Sequence, residues 1–133
     1  MTMLEMLCLW TSLWAFSSSS DRVEIKFVRG NHFHRLLLRS NPSTSEVTCY
    51  QDTQLTHQST IERKDYLSLH EKAAAFVDAL GVTGRPENKL CRTPFVVTIV
   101  SQTGERTREG CRSSNEGEAL GEIIHAAEQL SLK

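Results

Sequence analysis

Residues 23–39 read VEIKFVRGNHFHRLLLR, a run that divides into two strands and a turn. Val23 to Phe27 alternates apolar and polar residues, which is typical of a strand with one buried face. Arg29-Gly30-Asn31-His32 supplies turn chemistry, because Gly and Asn tolerate positive φ angles. Phe33 to Arg39 resumes as a strand, and its three consecutive leucines indicate burial on both faces. We therefore predict an opening β-hairpin.

The next part of the chain predicts two further strands joined by short turns. A turn at Asn41-Pro42-Ser43 precedes a third strand, Glu46 to Gln51, rich in β-branched and aromatic residues. Asp52-Thr53 makes a tight connection to a fourth strand, Gln54 to Glu62, which is mostly polar and so predicts a solvent-facing edge. Four strands joined by short turns predict an antiparallel meander.

A helix is predicted next. Ser68-Leu69-His70-Glu71 has the form of a capping box, in which each side chain satisfies a free backbone N–H. An apolar stripe at helical spacing follows, formed by Leu69, Ala73, Phe76, Val77 and Leu80. Gly81 supplies the left-handed stop expected just past a helix end.

The second half of the chain predicts two more strands and a closing helix. Phe95 to Val100 (FVVTIV) is the strongest strand pattern, and its β-branched run favours a central position covered on both faces. Ser101 to Gly104 turns it into a polar partner strand, Glu105 to Cys111. Ser113-x-x-Glu116 is a second capping box before a helix with an apolar stripe at Leu120, Ile123, Ile124, Ala127 and Leu130. The order ββββ-α-ββ-α predicts an α+β fold, an antiparallel sheet with two helices packed on one face.

The first 17 residues differ from everything after them. Residues 6–16 form an apolar run of the length found in signal peptides and too short for a permanent membrane anchor. Small residues at Ala15 and Ser17 predict cleavage after Ser17, so we expect a signal peptide at 1–17, a flexible leader at 18–22 and a single domain at 23–133. The predicted location is secreted or periplasmic. The alternative is that Leu4 to Phe16 forms a buried N-terminal helix.

Charge and cysteine usage bear on partners and compartment. Beyond Ser17 the chain holds 15 basic and 15 acidic residues, and this balance argues against nucleic acid as a partner. Three cysteines remain after the predicted cleavage, and Cys91 falls near Cys111 if the last hairpin pivots at Gln102-Thr103. We predict a Cys91–Cys111 disulfide, with Cys49 as the alternative partner of either residue.

Cys49 and the histidines are the remaining candidates for chemistry. Cys49 is interpreted as a small buried hydrophobe, with a nucleophile or an intermolecular bridge as the functional alternative. His32-x-His34 places two imidazoles on one strand face, and a metal site there needs a third donor such as His57 or His70. The sequence carries no phosphate loop, nucleophile elbow or helical zinc motif. We therefore predict no enzyme activity, no cofactor and no bound metal.

VEIKFVRGNHFHRLLLRS at 23–40 resembles the start of emfourin-type protease inhibitors. The later order is similar too: a capped helix, then FVVTIVSQTGERTREG at 95–110 as a strand and glycine turn, then a closing amphipathic helix. This similarity is one of element order and pattern along the domain. It implies a small inhibitor of thermolysin-like metalloproteases, without assigning any residue as a known contact.

The functional prediction is a small exported binding protein that acts as a monomer on a protein partner. The turn Arg29-Gly30-Asn31-His32-Phe33 is the candidate binding segment, because a turn on a rigid sheet can enter a partner's cleft. The family resemblance makes a metalloprotease the implied partner. The alternatives are a metal-handling or thiol-dependent protein that uses Cys49 and histidines, and a structural envelope protein without a discrete site.

Overall fold

The computed structural model describes residues 21–79, 92–111 and 116–132. Within these residues, six strands form one antiparallel sheet that carries two helices. The elements are β1 (Asp21–Arg29), β2 (His32–Ser40), β3 (Ser45–Gln51), β4 (Gln54–Ile61), α1 (Arg63–Asp78), β5 (Pro94–Ser101), β6 (Gly104–Cys111) and α2 (Glu116–Ser131). The predicted α+β class and the order ββββ-α-ββ-α are confirmed.

The strands lie in the order β4-β3-β2-β1-β5-β6. The first four form the predicted meander, with the polar strand β4 at one edge of the sheet. The late hairpin β5–β6 adds to the other side of β1, which consequently pairs with both β2 and β5. The first described strand therefore lies inside the sheet and joins its early and late parts.

Alternation of side chains gives the sheet two different faces. On β1, Val23, Ile25 and Phe27 are at most 1% exposed and face the helices, and we call this side the inner face. β5 contributes Phe95, Val97 and Ile99 to the same core. The predicted stripe of α2 is confirmed, since Leu120, Ile123, Ile124, Ala127 and Leu130 are all buried there.

The opposite side, which we call the open face, carries no helix among the described residues. Leu37 on β2 is 7% exposed there, so the predicted burial on both faces of β2 is confirmed at this position. The same prediction for β5 is wrong, because Val96, Thr98 and Val100 are only half-buried. β-Branched residues suit a pleated, partly exposed surface, so their run does not require cover on both sides.

Helix α1 begins earlier than predicted, so the proposed capping box at Ser68 and Glu71 is wrong. The helix starts at Arg63, and its N-cap residue Glu62 makes no side-chain capping bond. Tyr66 is 1% exposed and packs in the core one turn before the predicted start. Burial of this ring favours an earlier helix start more strongly than a serine cap favours a later one.

Several predictions fall on residues that the structure does not describe. The signal peptide, Gly81, Cys91 and Ser113 all lie outside the described residues.

β1 begins at Asp21, two residues before the predicted strand, and α1 ends at Asp78. In the described part of the chain, no helix combines the length and apolar character needed to cross a bilayer.

The hydroxyl of Tyr66 is buried and has no hydrogen-bond partner among the described residues. Burial accordingly raises the pKa of Tyr66. A buried polar group without a partner costs about 1–3 kcal/mol, so Tyr66→Phe should raise the free energy of unfolding by about 1 kcal/mol. Tyr66→Ala should lower it by about 3–5 kcal/mol, because the ring itself is lost from the core.

Urea denaturation of the two variants and the wild type measures both effects. A Tyr66→Phe protein less stable than wild type by more than about 1 kcal/mol would show that the hydroxyl is bonded and would contradict this reading.

Candidate functional site

Two turns lie side by side at one end of the sheet. Gly30-Asn31 joins β1 to β2, and Asp52-Thr53 joins β3 to β4. Since β2 and β3 are neighbours, with His34 opposite Gln51, these turns are adjacent in space. We call residues 29–34 and 51–53 the hairpin tip. It contains all five residues predicted for partner binding.

Gly30 allows the first turn to close. It has a φ of 68°, in the left-handed region that residues with a side chain enter at a cost. Asn31 does not share this conformation, although the sequence suggested either residue for it. In the second turn the left-handed residue is Asp52, with a φ of 60°. Aspartate is among the few residues that tolerate this region.

Asp52 links the two turns through three hydrogen bonds. Its Oδ2 lies 2.9 Å from His32 Nδ1, and its Oδ1 accepts a 3.1 Å bond from the Phe33 N–H. Its own backbone N–H donates to the Phe33 carbonyl at 2.7 Å. An ionised carboxylate only accepts, so His32 Nδ1 carries the proton in this contact. These bonds hold the backbone of the first turn, at Phe33, against the backbone of the second turn, at Asp52.

Arg29 connects the tip to α2. Its guanidinium meets the Glu128 carboxylate through two nitrogens, at 3.1 and 3.4 Å, and lies 5.2 Å from the centre of the Phe27 ring. Both partners of the ion pair are substantially exposed, so the pair contributes at most about 1 kcal/mol. Its main effect is to orient Arg29 along the helix end, with part of the guanidinium still open to solvent.

His32 and His34 share the inner side of β2, as predicted from their spacing. His34 stacks on Phe27, with ring centroids 5.2 Å apart, and burial followed by the charge of Arg29 lowers its pKa. His57 and His70 do not join them: His57 lies opposite Cys49 on β4, and His70 is on α1 beside Tyr66. Across the described ranges, no three histidine, cysteine or acidic side chains lie close enough together to hold a metal.

Phe33 points the other way, onto the open face. Its side chain is 65% exposed. Leu55 is 54% exposed on the same face, where it pairs with Tyr50. Tyr50 lies beneath the guanidinium of Arg35 at 5.1 Å. The tip therefore presents an aromatic ring with a further apolar surface behind it.

Cys49 lies on the inner face and is 7% exposed. It is a free thiol, and burial raises its pKa, with a hydrogen bond from Ser131 acting in the opposite direction and Glu128 adding to the rise. A buried thiol with a raised pKa is protonated at neutral pH and is a poor nucleophile or metal ligand. These features match the interpretation of Cys49 as a buried hydrophobe and give the thiol-dependent alternative no support.

Sequence reasoning identified the turn at 29–33 but missed three of its neighbours. Asp52, Tyr50 and Leu55 come from the next hairpin, and only the pairing of β2 with β3 brings them to the tip. The available signal was the two-residue connection Asp52-Thr53, whose aspartate was interpreted as turn chemistry alone.

Comparison with known proteins adds no assignment. The chain matches no protein-family model, no curated protein and no solved structure. The resemblance to emfourin-type inhibitors consequently stays a prediction.

The bonds to His32 and Phe33 lower the pKa of the Asp52 carboxyl, the His32 contact being the larger cause. Because folding lowers this pKa, the stabilising contribution is present above the usual aspartate pKa and is lost as the pH falls through the lowered value. Acidification below the usual aspartate pKa should therefore release the Phe33 amide.

An NMR titration of the Phe33 amide signal measures this transition, with Asp52→Asn as the control that cannot titrate. The amide shift should follow a single ionisation in the wild type and stay flat in the variant. A pH-dependent shift of equal size in both proteins would contradict the assigned bond.

Proposed function

We propose that this protein is a binding protein that inserts its hairpin tip into a cleft on a protein partner. The proposal is carried by one observation. Phe33 is 65% exposed at the end of a hairpin, and Asp52 hydrogen-bonds both the backbone N–H and the backbone carbonyl of Phe33. An aromatic ring that is exposed on a fixed backbone is the kind of anchor residue that supplies much of the binding energy in protein interfaces.

The ordered hairpin tip lowers the free-energy cost of binding a partner. Ordering a loop on binding costs free energy, and a tip that is already held by hydrogen bonds avoids most of that cost. Aromatic and arginine side chains supply much of the energy in protein interfaces, and the tip offers Phe33 and Arg29. His32 adds a polar contact, since its Nδ1 is engaged by Asp52 and its Nε2 is left for a partner.

For the partner we propose a protease, with a metalloprotease as the particular class. Support comes from the resemblance of 23–40 and 95–110 to emfourin-type inhibitors. A protruding hairpin is also suited to a concave surface, and an enzyme cleft is one. The residues assigned to the contact are Arg29, Gly30, Asn31, His32 and Phe33.

We also propose that the protein is exported. After removal of residues 1–17, the mature chain would be secreted or periplasmic. A Cys91–Cys111 disulfide would suit that compartment. Cys111 ends β6 directly opposite Pro94, which is three residues after Cys91 in the chain. Closing such a loop would stabilise the fold by about 3 kcal/mol.

Capture of a partner tests the binding role. Tagged wild-type protein, incubated with the native extracellular or envelope fraction, should retain a protease, and the same protein should inhibit a thermolysin-like metalloprotease in a peptide-cleavage assay. Phe33→Ala should weaken both by at least about tenfold, because a central aromatic contact is worth about 2 kcal/mol or more.

Leu67→Ala is the matched control. Leu67 is 47% exposed on α1 and lies away from the tip, so its loss should change neither readout. Unchanged melting temperatures would show that both variants fold. If capture and inhibition persist in Phe33→Ala, the tip is not the binding surface.

Intact-mass analysis of natively produced protein tests export and the disulfide together. The expected chain begins after Ser17 and weighs less, by two hydrogens, than the same chain after reduction. Material that still carries residues 1–17 with all its cysteines reduced would overturn this part of the proposal.

A further inference from the structure

The open face has an ordered charge pattern on its three neighbouring strands β1, β5 and β6. Residues that lie opposite one another across the strands form three rows. From one end, the rows are Arg22–Val100–Glu105, Glu24–Thr98–Thr107 and Lys26–Val96–Glu109. β1 thus supplies basic groups to the two outer rows, β6 supplies acidic groups, and β5 places half-buried valines between them.

We propose that this surface, residues 22–26, 96–100 and 105–109 on the open face, binds a second copy of the same chain about a twofold axis that runs along β5. This inference does not depend on the proposed function. The surface excludes the hairpin tip, so a partner at Phe33 and a second copy here can be tested apart.

Rotation about such an axis keeps each residue in the same row along the strands. It exchanges the side of the surface that carries β1 with the side that carries β6. β5 then lies over β5 of the second copy, and β1 lies over β6. Arg22 of one copy faces Glu105 of the other, and Lys26 faces Glu109, because each pair shares a row. Symmetry repeats both contacts, so four ion pairs surround a strip of valines.

Other twofold arrangements oppose like charges. An axis along β1 places Arg22 on Arg22 and Lys26 on Lys26. An axis across the strands at Thr98 places Arg22 against Lys26 and Glu105 against Glu109. Like charges brought together across an interface are unfavourable, so the pattern selects the axis along β5.

The charges concerned are available for such contacts. Among the ion pairs of the described residues, Arg22, Glu105 and Glu109 take no part, and Lys26 has only a 4.0 Å contact with Glu24. Two sheets that pack face to face lie about 10 Å apart, a gap that lysine, arginine and glutamate side chains can bridge from both sides. Val96 and Val100 would lose the remainder of their exposed area.

The size of the surface predicts a weak dimer. Three strands span about 14 Å, and five residues of strand plus their side chains span about 20 Å, or about 300 Å² on each copy. Stable complexes bury about 800 Å² per partner, so the association should depend on concentration and, because it is electrostatic, on salt.

Sedimentation equilibrium of the full chain tests the proposal. At low salt the apparent mass should rise from that of the 15.0 kDa monomer toward twice that value with increasing concentration. Raising the salt to about 0.5 M should weaken association at least about tenfold, because exposed charges are then screened. The double variants Arg22→Glu with Lys26→Glu, and Glu105→Lys with Glu109→Lys, should each remain monomeric.

Mixing the two double variants is the decisive step, because charges that repel within either variant attract between them. The mixture should form the heterodimer at least as strongly as the wild type forms its homodimer, and the quadruple variant should dimerise again. Circular dichroism melts confirm that every variant folds.

Three outcomes overturn the proposal. The first is a monomer at every concentration tested. The second is a dimer that persists in both double variants, which would use another surface. The third is variants that lose association separately but fail to regain it when mixed.

Discussion

The structure depends on the burial of one face of β1. Val23, Ile25 and Phe27 are essentially inaccessible to solvent, and β1 pairs on one side with the meander and on the other with the late hairpin. A shift of one residue would turn all three side chains out of the core and bring Glu24 and Lys26 into it. Such a shift would cost several kcal/mol for the apolar side chains alone. The register of the sheet is therefore fixed at its centre.

That register determines what each surface can present. The even-numbered residues of β1 must face outward, which places Arg22, Glu24 and Lys26 on the open face. On β2 it sends Leu36 and Leu38 inward with His34, while Phe33 points outward at the tip. The exposure of Phe33 is a consequence of core packing in the next row, where Phe27 lies opposite His34, and Asp52 secures the local backbone. The hydrogen bonds of Asp52 thus refine a geometry that the apolar core has already set.

Local pattern predicted the strands because each has its own alternation or β-branched run. Val23 to Phe27, Glu46 to Gln51 and Phe95 to Val100 all lie within observed strands. The start of α1 was missed because a serine cap is worth about 1 kcal/mol, less than burying Tyr66. The exposure of the second face of β5 was missed because β-branched residues occupy buried and open strands alike.

The candidate site was only half predictable for a related reason. Turn residues at 29–33 are visible in the sequence, since glycine marks the turn and Phe33 opens the next strand. Asp52 reaches His32 from 20 residues away, and no local rule specifies that contact. The rows that place Arg22 beside Val100 and Glu105 are likewise set by pairing between distant strands. Chemistry that depends on long-range register becomes visible only once the sheet is assembled.

The register at the centre of the sheet is the claim to test most directly. Nuclear Overhauser contacts between methyl groups, measured on methyl-labelled protein, report which side chains share a row. Ile25 should contact Leu36 and Val97, which lie opposite it on β2 and β5. Contacts from Ile25 to Leu37 and Val96 in their place would show a shifted sheet and would contradict the account.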